Sequence, residues 1–214
     1  MHIPDGFLSP QTYLPAYGAA ALAWAWAARD LRRRLDERTV PRLAALTALA
    51  YGLGLVMLPL PGGTSGHALG VAMLALLFGV RPAFLAYSLV LILQSLLFGA
   101  GGITALPVNA LAMGLLGALT AVVVHRLLRP AGETLAVGAA AWSAVVLPAL
   151  AVAGVLGLQP LIAQRADGTP LFFPFGLAVV LPAVLLPHLL IGLAEAALTV
   201  LVWRHARRRG WSVA

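Results

Sequence analysis

Long apolar runs, interrupted by short clusters of charge, glycine or proline, set the rhythm of this chain. The runs cover about 12–28, 43–60, 67–80, 83–99, 107–125, 135–158 and 175–203. A helix needs roughly 20 residues to cross a hydrocarbon core of about 30 Å. The pattern therefore predicts an all-α polytopic membrane protein with seven transmembrane helices, forming one domain over residues 1–214. The third run is short: at about 1.5 Å per residue it reaches only about 21 Å, so its outer end is expected to begin below the membrane surface. The seventh is long and contains Pro182 and Pro187, which predicts a kink or a partly unwound stretch there.

Composition narrows the classes further. With 61% apolar and 10% charged residues and a mean hydropathy of +0.95, a water-soluble domain is excluded. There is no cysteine, which removes disulfides, thiolate metal ligands and cysteine nucleophiles, so any metal must be held by nitrogen or oxygen. The net charge of +7 comes from arginine alone. Arg29, Arg32, Arg33, Arg34, Arg38 and Arg42 lie between runs one and two, Arg81 between three and four, and Arg126 and Arg129 between five and six. Arg204, Arg207, Arg208 and Arg209 follow run seven, and only Arg165 falls on the other side. Short arginine-rich loops stay cytoplasmic, so the N-terminus is expected outside and residues 205–214 form a cytoplasmic basic tail. These clusters flank spans and carry no interleaved aromatic platform, which argues against nucleic acid as a partner. Trp24, Trp26 and Trp203, near cytoplasmic ends, read as interfacial anchors. The first arginine follows the first apolar run, the reverse of a signal peptide, so residues 1–10 are expected to be retained.

Those first residues carry candidate chemistry. The chain opens Met1-His2-Ile3-Pro4-Asp5-Gly6-Phe7. The Met1 amine, the His2 backbone nitrogen and a His2 ring nitrogen can wrap one cation in fused chelate rings, and a fourth nitrogen would complete a planar set suited to Ni(II) or Cu(II). His67, in Pro61-Gly62-Gly63-Thr64-Ser65-Gly66-His67, lies on the same expected side at the recessed end of the short third run. From the ordinary pKa values of an amine and an imidazole, binding is expected to strengthen as pH rises through about 6.5 to 8.

The opening through Leu8, the Pro61–His67 segment, Gln94-Ser95-Leu96-Leu97-Phe98-Gly99 with Gly101-Gly102-Ile103-Thr104 and Asn109, and His188-Leu189-Leu190-Ile191-Gly192 with Glu195, Ala196 and Thr199 together resemble the CbiM/NikM family. These are the substrate-capture subunits of energy-coupling-factor transporters for cobalt and nickel. The resemblance covers roughly residues 1–205, with Ala105-Leu106-Pro107 after Thr104 departing from the family pattern. It implies that Met1, His2 and His67 supply the metal nitrogens and that Co(II) or Ni(II) is cargo rather than cofactor. The opening is closest to the cobalt branch, which implies a supply for cobalamin biosynthesis. It also implies residence in the bacterial plasma membrane beside a transmembrane coupling subunit, cytoplasmic ATP-binding subunits and, in some cobalt systems, a small accessory membrane subunit. The chain itself has no phosphate-binding Gly-rich Lys-Ser/Thr loop, so it is not expected to hydrolyse ATP.

Four polar residues inside the apolar runs are further candidates. Glu195 and His188 are seven positions apart on one helix face and form a candidate buried strip, either structural or part of a transport route. Gln94 and Asn109 are further candidates, with Asn109 placed to orient a ligating imidazole. A rival reading takes Gly63-Thr64-Ser65-Gly66 as a rhomboid-like protease signature, with Ser65 as nucleophile and His188 as base.

Overall fold

The structure, a computed structural model, describes residues 1–29, 31, 36–60 and 64–211. Among these, seven helices build the fold: α1 Pro10–Ala28, α2 Thr39–Leu55, α3 Val71–Phe78, α4 Val80–Phe98, α5 Leu106–Ala131, α6 Glu133–Ile162 and α7 Leu177–Arg208. Arg32, Arg33 and Arg34 lie outside the described residues.

The chain is predominantly helical, and it departs from the expected pattern at the second run. The second run does not stay helical to residue 60: α2 stops at Leu55, and β1 Leu58–Leu60 pairs antiparallel with β2 Thr64–Gly66, Leu58 opposite Gly66. Pro59 explains the break, because its ring disfavours helical backbone at Leu58. Among the described residues four helices, α4 to α7, are long and apolar enough to cross a membrane. Pro182 and Pro187 sit inside α7, which remains helical from Leu177 to Arg208, so the expected unwinding does not occur. The irregular backbone falls instead in α5, where Ala110–Leu116 forms a π-helical stretch immediately after Asn109.

On α6 the alanines face inward and most leucines face outward. In α6, Ala136, Ala140, Ala141, Ala144, Ala149 and Ala153 are buried, while Leu135, Leu147, Leu150, Leu158 and Leu161 are exposed. Small residues let helix backbones approach closely, and outward leucines suit a hydrocarbon solvent. At the centre lies α3, with every residue from Val71 to Leu77 buried. It contacts α2, α4, α5, α6 and α7. Its shortness follows from its two ends, Gly70 at φ +73° and Gly79 at φ +85°, left-handed conformations that glycine adopts without strain. A Cβ at Gly70 would also sit 2.8 Å from the Ala50 Cβ, so α2 crosses too closely for any side chain there.

The tryptophans tie helices together. Trp24 Nε1–H donates to Ser88 Oγ at 2.9 Å, linking α1 to α4. The Arg81 guanidinium lies over the Trp26 ring at 4.7 Å. Trp203 is 5% exposed and packs beside His125, which corrects its reading as an interfacial anchor.

Candidate metal-binding site

The segment before α1 folds into the bundle. Met1, Ile3, Leu8 and Ser9 are essentially inaccessible, and His2 is 3% exposed. Four grips hold it. Asn109 reads the main chain of Ile3 with both ends of its amide: Ile3 N–H donates to Oδ1 at 3.0 Å, and Nδ2–H donates to the Ile3 carbonyl at 3.1 Å. The same carbonyl accepts from Gly102 N–H at 2.9 Å. The Asp5 carboxylate accepts from Ile103 N–H at 3.1 Å, Thr104 N–H at 2.8 Å and the Thr104 hydroxyl at 2.5 Å. The Thr104 hydroxyl, with the two N–H groups, holds the Asp5 carboxyl below its usual range. Further along, Ser9 N–H donates to Gln159 Oε1 at 3.0 Å, and Phe173 N–H donates to the Phe7 carbonyl at 3.3 Å with the two rings in contact.

The second half of the site descends from the hairpin. His67 follows β2 and is 2% exposed. The turn behind it is tied to α7: the Glu195 carboxylate accepts from Leu69 N–H at 2.8 Å and Gly70 N–H at 2.6 Å, the two main-chain donors that lead into α3. Glu195 therefore acts as the strut of the His67 loop.

The two histidines meet. Their rings stack with centroids 4.5 Å apart, and His67 Nε2 lies 3.2 Å from His2 Nδ1. His67 Nδ1 lies 2.9 Å from the Ala68 carbonyl, which only accepts, so the His67 hydrogen is on Nδ1 and its Nε2 presents a lone pair. Such anchoring of the far ring nitrogen fixes the orientation and basicity of a metal-binding imidazole. With metal–nitrogen bonds of about 2.0–2.1 Å, two nitrogens 3.2 Å apart would subtend about 100–106° at a shared cation. Closing to a right angle needs a shift of about 0.3 Å. His2 Nδ1 is also the ring nitrogen that closes a six-membered chelate with the His2 backbone nitrogen.

Electrostatics keep these donors neutral. Burial pushes the Met1 amine down to about 4. Burial, and then the charge of that amine, pushes His67 down to about 3. Burial and the neighbouring His67 hold His2 well below its ordinary value. In the folded chain the amine and imidazole deprotonations thus lie below the range of 6.5 to 8 expected from their ordinary values. Among the described residues no three His, Cys, Asp or Glu side chains form a metal-holding group. A cation at the histidine pair thus depends on main-chain or amine nitrogen.

The remaining candidates divide. Gln94 is buried, its Nε2–H donating to the Tyr51 carbonyl at 3.4 Å, and its amide faces the His2 ring. Neither Gln94 Oε1 nor His2 Nε2 reaches a partner in hydrogen-bonding geometry. Asn109 orients the residue after His2 rather than an imidazole. His188 is buried, its Nδ1–H donating to the Val184 carbonyl of its own helix at 2.7 Å, and its ring feels the Met1 amine and His67. It shares a helix with Glu195 but not a hydrogen bond. Ser65 belongs to β2, while Gly62 and Gly63 and the Ser65 side chain lie outside the described residues. Sequence reading missed Asp5, Gln159 and Gly102 as anchors. A glutamine at the edge of the sixth apolar run, directly ahead of Pro160, was the available signal for one of them.

Comparison with known proteins agrees with this architecture. Residues 2–213 match the family model for CbiM, the cobalt uptake substrate-specific transmembrane region. The chain is 37% identical over 206 residues to the fused nickel transport protein NikMN of Rhodobacter capsulatus, a match that covers 93% of this chain and 59% of that protein. It is 39% identical over 213 residues to the probable fused nickel transport protein LarMN of Lactiplantibacillus plantarum, covering 97% of this chain and 65% of that one. It thus spans less than two thirds of the length of both relatives. A crystal structure of a truncated transition metal transporter superposes with a TM-score of 0.94 at 37% identity, covering 98% of this chain and 99% of the other. None of these matches supports a protease built on Ser65 and His188. The family model spans nearly the whole chain, and the chain belongs to the CbiM family.

Proposed function

We propose that this chain is the substrate-capture subunit of an ATP-driven energy-coupling-factor transporter, taking Ni(II) or Co(II) from the external side. The observation that carries the reading is the convergence of two buried, neutral imidazoles, 3.2 Å apart, beside the Met1 amine. With Met1 as first residue, its amine, the His2 backbone nitrogen, His2 Nδ1 and His67 Nε2 would supply a planar four-nitrogen set to one cation. Such a set suits Ni(II) better than Co(II), and the two relatives above are named as nickel transport proteins. The opening residues and the family model point instead to cobalt, so a competitive titration is the deciding measurement.

In this reading α1, α2 and the short α3 complete seven membrane-embedded helices in a bacterial plasma membrane. The arginine-rich ends face the cytoplasm, where a transmembrane coupling subunit and separate ATP-binding subunits dock. A small accessory membrane subunit and delivery of cobalt to cobalamin biosynthesis belong to the cobalt variant of the same proposal. Isothermal titration of protein beginning at Met1 with Ni(II) and Co(II) tests the core of it. Loss of binding is expected in His2→Ala, in His67→Ala and on adding one residue before Met1; unchanged affinity in all three refutes it.

A further inference from the structure

Building on the metal-site reading, the contacts of the two histidines define where the His2 hydrogen lies when no cation is bound. Because His67 carries its hydrogen on Nδ1, toward the Ala68 carbonyl, the contact between His67 Nε2 and His2 Nδ1 requires His2 to donate. His2 Nε2 is then a bare lone pair. It is buried without a partner, and so is Gln94 Oε1 beside it. Two buried acceptors of neighbouring side chains are then left without a donor, an arrangement that buried polar groups rarely tolerate.

Gln94 is not free to correct this by turning its amide. Its Nε2–H donates to the Tyr51 carbonyl, which accepts only, so the oxygen is left on the His2 side. Gly54 leaves room for that pose, since a Cβ there would overlap Gln94 Nε2. A cation bound at His2 Nδ1 must displace the hydrogen from that atom. The ring stays neutral if the hydrogen moves to Nε2, where an unpartnered acceptor already stands. We propose that Gln94 is a positioning residue that accepts a hydrogen bond from His2 Nε2–H in the metal-bound state, so that arrival of the cation turns two orphaned acceptors into one hydrogen bond. The ring holds one hydrogen before and after. The only proton lost from His2 is that of its backbone nitrogen, if that nitrogen binds.

The inference is tested on the full chain beginning at Met1, loaded with Ni(II), whose planar four-nitrogen complexes are diamagnetic and open to nitrogen NMR of the imidazoles. The hydrogen of His2 is expected on Nδ1 in metal-free protein and on Nε2 in loaded protein. Gln94→Leu, which removes the acceptor, is expected to weaken Ni(II) binding by about 10- to 100-fold, the usual effect of losing a partner behind a ligand. Gln94→Glu, which keeps an oxygen at the same reach, is expected to recover most of the loss. A loaded His2 without hydrogen on Nε2, or Gln94→Leu binding Ni(II) as the parent does, overturns the inference. If His67→Ala loses Ni(II) while Gln94→Leu does not, only the role of Gln94 falls. If the unaltered protein binds neither Ni(II) nor Co(II), the metal-site reading fails and this falls with it.

Discussion

Asn109→Leu isolates the hold on the N-terminal segment without touching a metal-binding atom. Leucine matches asparagine in shape but can neither accept from Ile3 N–H nor donate to the Ile3 carbonyl, the bonds now made at 3.0 and 3.1 Å. The carbonyl keeps Gly102 N–H at 2.9 Å, so its loss is one ordinary bond, about 0.5–1.5 kcal/mol. Ile3 N–H has no such reserve and is left buried and unpaired, at a cost of about 1–3 kcal/mol. The sum, roughly 1.5–4.5 kcal/mol, corresponds to about a 10- to 1,600-fold shift toward the undocked segment, at about 1.4 kcal/mol per tenfold. Asp5, Ser9 and Phe7 still hold, so the loss of Ni(II) affinity should lie between about tenfold and that ceiling. Titration calorimetry reads the affinity, and hydrogen exchange of residues 1–9 reads the docking. Parent-like affinity together with parent-like exchange would show that Asn109 does not hold the segment, and would refute the reasoning.

Other perturbations follow from the same geometry. Gly102→Ala places a Cβ on the Asp5 backbone nitrogen and carboxylate; exchange of residues 1–9 should accelerate and metal binding fall at least as far as in Asn109→Leu, whereas tolerance of alanine would show that the loop yields. Glu195→Gln offers one acceptor where two N–H groups now bond, so one buried donor is orphaned at about 1–3 kcal/mol, read as a lower denaturation midpoint with weakened metal binding through His67. The pH response has a definite sign. The Met1 amine falls from about 8.0 to about 4 on folding, so between those values the unfolded chain holds a proton that the folded chain lacks. Stability should therefore decline as pH falls from about 8 toward 4 and level off below. Intrinsic Ni(II) affinity should show no inflection at 6.5 or 8, and a clear inflection at either in a titration series would contradict the buried, neutral site.

Much of this was legible in residue order because the signals are local. Seven apolar runs and their breaks map onto seven helices, and the shortness of the third is written in the glycines at 70 and 79. The pairing of His2 with His67 was readable because both stand at chain features, an opening and a Gly-rich loop, that place them on one side. What was not legible depends on which helices touch. Nothing near Glu195 in sequence indicates that its carboxylate holds the turn after His67, 125 positions away at Gly70. The same is true of Gln159 and Ser9, 150 positions apart. The strand at Leu58–Leu60 is hidden by composition, since its residues are as apolar as the helix before it. The unwinding that two prolines allow does not occur in α7, where a long helix packed against α6 stays helical from Leu177 to Arg208.

The site is divided between supports. His2 hangs from a segment clamped by Asn109 on α5, the 102–104 loop and Gln159 on α6, whereas the loop behind His67 is bolted to Glu195 on α7. An ion gripped by both imidazoles would thus join two separately mounted jaws. Sliding α7 relative to α5 would drag one jaw and leave the other in place, loosening the grip at a single nitrogen first, so a mechanical push on one helix far from the ion could begin its release.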